Sequence, residues 1–156
     1  KKRERWSIAK IYETVKEMAP QCQVGVNWSI GLPDNPDPDS TFVLPTMQKT
    51  GYPIRYFPSD FRMGDPYLPA DPDPKLFSHN GKLYYMPWET TVCISKKWFY
   101  NTKDTVYKTP EELLQLYKRA TAQDNILILD LPPNREGKLR EKDRQLVFAL
   151  KKLIHK

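Results

Sequence analysis

Ten of the 15 prolines in this 156-residue chain fall between Pro33 and Pro74. Each fixes φ and removes a backbone donor, so no long helix or central strand is expected to persist there. The sequence from about residue 31 to residue 82 therefore reads as one long, stiff loop. Loops beyond about 12–15 residues in compact domains are usually functional or disordered. Phe42, Tyr52, Tyr56, Phe57, Phe61 and Tyr67 are interleaved with the prolines and favour an ordered, packed loop. A mean hydropathy of −0.69 with 12 % aromatic residues is polar without being the composition of a disordered tail. The longest apolar runs, such as Ile126 to Leu129, fall far short of the roughly 20 residues that span a bilayer, so no membrane span is expected.

A formal charge of +6 invites a nucleic-acid partner, but its distribution argues against one. Lys1, Lys2, Arg3 and Arg5 open the chain, and Lys138, Arg140, Lys142, Arg144, Lys151, Lys152 and Lys156 close it. In the middle, from Asp34 to Asp73, Asp34, Asp37, Asp39, Asp60, Asp65, Asp71 and Asp73 stand against only Lys49, Arg55 and Arg62, a balance that repels phosphate. With no zinc-finger spacing and no aromatic RNA-binding signature, no nucleic acid is expected. Cys22 and Cys93 lack the paired spacing of metal or redox motifs, and His79 and His155 stand apart without partners at ligand spacing. Neither a metal nor any other cofactor is expected.

Ile8, Ile11, Tyr12, Val15 and Met18 recur at helical period after Ser7, a good N-cap, and Pro20 stops the run, giving a helix over about Ser7 to Ala19. Cys22 to Trp28 is β-branched and bounded by turn residues, so it reads as a strand. Asn27-Trp28-Ser29 is formally a glycosylation sequon, but its place in a strand makes the match accidental. After the turn Asn80-Gly81, Leu83 to Trp88 forms a short strand, and Thr90 to Ile94 continues in the same character around Glu89. Thr109, Pro110 and Glu112 make a capping box ahead of Leu113, Leu114, Leu116, Tyr117 and Ala120. Ile126 to Asp130 reads as a strand buried on both faces, closed by Pro132-Pro133-Asn134. Leu146, Val147, Leu150, Leu153 and Ile154 then share the stripe of a final amphipathic helix.

Helix, strand, long loop, strand, helix, strand, helix is the order of an α/β protein with parallel strands. Three or four such strands make a poor isolated sheet but about half of an eight-stranded barrel of roughly 250 residues. The fold expected is therefore a partial TIM barrel, residues 1–156 forming the C-terminal half of one catalytic domain, with no methionine at its start. Barrel chemistry sits after the carboxyl ends of strands, which singles out Asp60, Asp65, Asp71, Asp73 and Glu89. Glu89 stands next to Trp88 in an apolar stretch, where an acid either finds a partner or has its pKa raised. Simple pairing with a lysine explains it equally well at this point.

Three stretches resemble the α-L-fucosidases of glycoside hydrolase family 29. Trp88-Glu89 followed by Trp98-Phe99-Tyr100-Asn101 is similar to that family's Trp-Glu and aromatic-x-Tyr-Asn segments. Asn125 to Gly137 is similar to its Asn-Leu-Leu-Leu-Asn-x-x-Pro-Asn-x-x-Gly strand and turn, and is the most distinctive of the three. Asp60-Phe61-Arg62-Met63-Gly64-Asp65 resembles its Asp-Phe-Lys/Arg-x-x-Glu segment, whose last acid is the general acid/base. The resemblance implies a retaining exo-hydrolase acting on terminal α-L-fucose of a fucosylated glycan. By carry-over the catalytic candidates are Asp65 as acid/base and Glu89 as the second candidate. Trp98, Trp88, Arg62 and Tyr100 are the substrate-binding candidates, with Trp98 packing on the methyl side of the 6-deoxy sugar. The alternative for Trp98 is ordinary burial in the barrel core.

The departures are also specific. Asp65 stands where the family has glutamate and Ser29 where it often has arginine. The family's nucleophile is an aspartate in a Trp-x-Asp stretch ahead of the helix that begins here near Ser7, and no such stretch occurs. The chain is thus expected to be a fragment, inactive alone, whose partner is the missing N-terminal half of the barrel. Family habit implies a periplasmic, secreted or lysosomal setting. The rivals are a non-catalytic carbohydrate-binding or structural protein, and a different barrel hydrolase that keeps Glu89 without the preference for a deoxy sugar.

Overall fold

The computed structural model describes residues 6–35 and 41–155. The basic run from Lys1 to Arg5, the stretch holding Pro36, Asp37, Pro38 and Asp39, and Lys156 lie outside them. The chain forms two compact units, Lys1–Gly64 with Pro69–Glu89 and Asp65–Leu68 with Thr90–Lys156.

The first unit contains α1 (Ile8–Met18), β1 (Gly25–Asn27), a 3₁₀ turn (Pro45–Met47), β2 (Phe61–Met63), β3 (Leu76–His79), β4 (Lys82–Tyr85) and the opening of β5 (Trp88–Cys93). Helix α1 starts where the Ser7 side chain accepts from the Lys10 N–H, as its sequence foretells. Its apolar stripe has little to pack on, since no residue of α1 is buried and Met18 is 82 % exposed. β1 and β2 pair in parallel, Val26 opposite Arg62, and β2 pairs in parallel with β5, Arg62 opposite Trp88.

β2 corrects the expectation of one unbroken loop from residue 31 to residue 82. Pro58 and Pro66 stand outside the three residues that pair, so every ladder position of β2 keeps its N–H. Within the same stretch β3 and β4 form an antiparallel hairpin around Asn80 and Gly81, whose φ values of 48° and 75° suit a tight hairpin turn. The expected strand from Leu83 to Trp88 consequently divides at Met86-Pro87, Leu83 to Tyr85 going to the hairpin and Trp88 opening the next strand of the parallel sheet.

The core of this unit is Ile30, Ile54, Phe77 and Met86, with Tyr52, Phe57 and Tyr84 packed against it. Arg62 lies beside that core with no solvent exposure. Its Nη2 donates to both Asp73 carboxylate oxygens at 3.1 and 2.9 Å, Nη1 to Gln48 Oε1 at 2.7 Å, and Nε to the Met86 carbonyl at 2.8 Å. Phe77 and Trp88 face the guanidinium, ring centres at 4.5 and 5.4 Å.

Asp60 ties α1 to the edge of the parallel strands. Oδ1 accepts from the Tyr12 hydroxyl at 2.7 Å, and Oδ2 accepts from the Val24 N–H and the Lys16 ammonium, each at 2.8 Å. Burial raises its pKa, but the donors from Lys16, Tyr12 and Val24 outweigh it and hold the carboxyl below its ordinary range. A depressed folded-state pKa contributes stability above the unfolded value near pH 4, lost as pH falls through the folded value. Asp60→Asn is therefore expected to lower stability at pH 7 by roughly 1–3 kcal/mol and to flatten the decline below about pH 4. Urea titrations at pH 7 and pH 3 check this, and an unchanged acid decline in the variant would reject it.

The second unit holds the rest of β5, α2 (Pro110–Thr121), β6 (Ile126–Asp130) and α3 (Glu141–Ile154). The capping box forms as written: Glu112 accepts the Thr109 N–H at 2.7 Å and Thr109 Oγ1 accepts the Glu112 N–H at 3.2 Å. Ile94, Leu113, Leu146 and Leu150 make the core, with Leu129 and Leu131 among those packed against it. The other face of β6 is not buried as its apolar run predicts. Ile126 and Ile128, two residues apart on one face of β6, are 45 % and 43 % exposed, so that face is incompletely covered among the described residues. No helix among the described residues is long and apolar enough to cross a membrane.

Candidate active site

The loop after β5 is tied down by its own polar groups. Asp104 accepts the Lys97 N–H at 2.8 Å and Cys93 Sγ donates to the Lys97 carbonyl at 2.8 Å. Burial pushes the Asp104 pKa up, but the Lys97 N–H, Ser95, the Val106 N–H and Arg140 bring it below the ordinary carboxylate range. Arg140 is fixed in turn by Asp143, fully buried at the start of α3, through bonds of 2.8 and 3.1 Å. Its guanidinium lies 5.9 Å from the Tyr100 ring centre and 5.1 Å from that of Tyr107. After β6, Pro132 and Pro133 lead into a turn in which Asn134 Oδ1 accepts from the Glu136 and Lys138 N–H groups, each at 2.9 Å.

These two anchored loops and the residue that follows Gly64 wall a cavity of about 810 Å³ in the second unit. Asp65, Thr91, Trp98, Phe99, Tyr100, Asp130 and the two prolines line it. The volume is in the range of small-molecule sites. Asp65 Oδ1 is buried with no hydrogen-bond partner among the described residues. Aromatic walls beside carboxylates suit a neutral ring with one apolar face and a hydroxylated edge.

Of the residues singled out in the sequence, Asp65, Trp98 and Tyr100 share this cavity. Glu89 belongs to the first unit, half-buried on β5 opposite Met63 of β2. Arg62 and Trp88 take interior places rather than exposed ones, at 0 % and 1 % exposure. The donors of Arg62 are turned onto Asp73, Gln48 and Met86, so in this structure it holds the core together and offers nothing to a ligand. Gly64 makes room for two indoles just ahead of Asp65: a Cβ there would stand 2.9 Å from the Trp28 ring and 3.1 Å from that of Trp88.

Two polar cavity residues, Asp130 and Thr91, were not among the site candidates from sequence. Asp130 closes β6 at its carboxyl end, which is the signal that could have marked it. Thr91, within a β-branched run, carried none. Among the described residues no group of three or more His, Cys, Asp or Glu is placed to hold a metal ion.

The model of the Alpha-L-fucosidase family matches residues 38–154. The chain belongs to that family. Solved structures agree in fold, among them Alpha-L-fucosidase isoenzyme 1 from Paenibacillus thiaminolyticus. It is 16 % identical at a TM-score of 0.64, covering 96 % of this chain and 30 % of that one. Unliganded alpha-L-fucosidase AlfC from Lactobacillus casei is 19 % identical at a TM-score of 0.59, covering 94 % and 34 %. An AlfC variant in complex with Fuca(1,6)GlcNAc is 20 % identical at 0.56, covering 95 % and 34 %. The chain thus spans about a third of the length of these family members. Among curated proteins compared by sequence, none matches.

Proposed function

We propose that this chain is the C-terminal half of the catalytic barrel of an exo-acting, retaining α-L-fucosidase that releases terminal α-L-fucose from fucosylated glycans. The observation that carries the reading is Asp65, with a buried and unpartnered carboxylate oxygen, in an aromatic-walled cavity of a chain from this family. In a retaining mechanism two carboxyl groups about 5–5.5 Å apart flank the glycosidic bond. Asp65 protonates the leaving oxygen and then, as its conjugate base, activates the water that hydrolyses the glycosyl-enzyme; Glu89 is the second candidate for that role. The nucleophile comes from the part of the protein these residues do not include. Trp98 packs on the C5 methyl of fucose, and Tyr100 and Asp130 meet its hydroxyls.

The chain is part of an incomplete barrel in this reading. Its support is the coverage of about a third of solved relatives, the partly exposed face of β6 at Ile126 and Ile128, and α1 without a buried residue. Such a chain alone lacks the nucleophile and turns nothing over. The setting is periplasmic, secreted or lysosomal, where fucosylated glycans are met.

Trp98 supplies the test of substrate choice. In the full-length protein, aryl α-L-fucoside is compared with the aryl α-L-galactoside that carries a hydroxyl where fucose has a methyl hydrogen. Trp98→Ala is expected to shrink the fucoside preference in kcat/KM by about 10-fold or more. A preference that survives the exchange removes Trp98 from recognition of the methyl group.

A further inference from the structure

A second cavity, of about 510 Å³, lies in the first unit. Gln23, the Ser59-Asp60 pair and Pro87 line it, and each immediately precedes or lies close before one of the parallel strands β1, β2 and β5. Barrel catalysis uses the other, carboxyl ends of strands, so this cavity has no part in the reaction proposed above. It shares no residue with the candidate active site.

Its walls are aromatic and fixed. Phe57 stacks on His79 with ring centres 4.1 Å apart and planes within 10°, and Tyr84 leans on Phe57 at 4.7 Å. Tyr85, by contrast, is kept 56 % exposed at the rim, an apolar ring with a hydroxyl tip standing in water. The one carboxylate in the lining, Asp60, is already neutralised by Lys16 and bonded by Tyr12 and the Val24 N–H. The cavity therefore offers ring faces, phenol hydroxyls and the Gln23 amide, with no uncompensated charge to attract phosphate, sulfate or an ammonium group. That combination matches a neutral pyranose, whose axial C–H face stacks on aromatic rings while its equatorial hydroxyls meet amide and phenol groups.

We propose that this cavity is a non-catalytic binding site for a neutral pyranose residue of the glycan, with Tyr85 as its stacking platform and Gln23 as its hydroxyl partner. The choice of glycan rests on the fucosidase reading; the existence of the site does not. The test is titration of the full ¹⁵N-labelled chain with the disaccharide Fuca(1,6)GlcNAc, followed by amide chemical shifts. Saturable shifts are expected at Gln23, Ser59, Tyr84 and Tyr85. Tyr85→Ala, at an exposed position, weakens them by about tenfold or more in Kd. Tyr85→Phe, which keeps the ring, retains most of the affinity, and Gln23→Ala lowers it.

Shifts confined to Thr91, Trp98, Phe99 and Tyr100 would overturn this proposal while supporting the candidate active site. Shifts at Gln23 and Tyr85 without any at Trp98 would do the reverse. No saturable shift at millimolar disaccharide, or shifts at Tyr85 that Tyr85→Ala leaves unchanged, would also overturn it.

Discussion

Asp65→Asn in the full-length protein is expected to lower kcat/KM for an aryl α-L-fucoside by about 10²–10⁴-fold, the usual contribution of a positioned general acid. The amide matches the carboxyl in shape, so the cavity wall is kept while the transferable proton is lost. Melting temperature should therefore hold, because Asp65 Oδ1 makes no hydrogen bond among the described residues that folding would miss. The leaving group separates chemistry from architecture. A nitrophenolate leaves with little help from an acid, whereas a sugar alkoxide needs it, so the loss should be larger on fucosyl-N-acetylglucosamine than on the nitrophenyl substrate. Equal losses on both substrates with a lowered melting temperature would mean that Asp65 is structural. If Glu89→Gln instead gives the substrate-dependent loss, the acid/base role passes to Glu89.

The largest effect on stability is expected at Asp73. Asp73→Ala leaves the Arg62 guanidinium wholly buried without its 2.9 Å ion pair, and breaking such a pair from one side costs about 3–5 kcal/mol. Against a total stability of about 5–15 kcal/mol for a domain, that is enough to populate unfolded chain. Lys75, which also reaches Asp73 at 2.7 Å, retains 16 % side-chain exposure and can turn to water, so the penalty falls on Arg62. Burial already pushes the Arg62 pKa down, with Asp73 opposing it. Replacing both partners, Arg62→Met with Asp73→Ala, removes the buried charge and should recover much of the loss. Urea unfolding of the single and double variants measures the difference. A cost below about 1 kcal/mol for the single change would show that water reaches the guanidinium.

What was legible in the sequence was what neighbouring residues decide. Ser7 and Thr109 cap their helices through bonds only three residues long, and Pro20 ends the first helical segment for reasons internal to its own ring. β2 was not legible, because Phe61, Arg62 and Met63 become a strand only through β1 and β5 on either side. Proline density described its surroundings correctly and its centre wrongly. The apolar run of β6 foretold a strand but not its exposure, since burial depends on what lies across from Ile126 and Ile128. The same distinction governs the site. The motif around Trp98 and Tyr100 was readable as a local pattern, and so was Asp65. That Arg62 would turn inward onto Asp73 depended on a residue eleven positions further along the chain, and Asp130 was hidden inside a run whose apolar character drew the attention.

The decisive measurement is hydrolysis of a panel of aryl glycosides by this chain beside a form extended N-terminally through a Trp-x-Asp stretch. The extended form should release the aryl group from the α-L-fucoside alone, while the 156-residue chain releases none. If both forms fold and neither cleaves any glycoside, the catalytic reading is contradicted and a non-catalytic sugar-binding role takes its place.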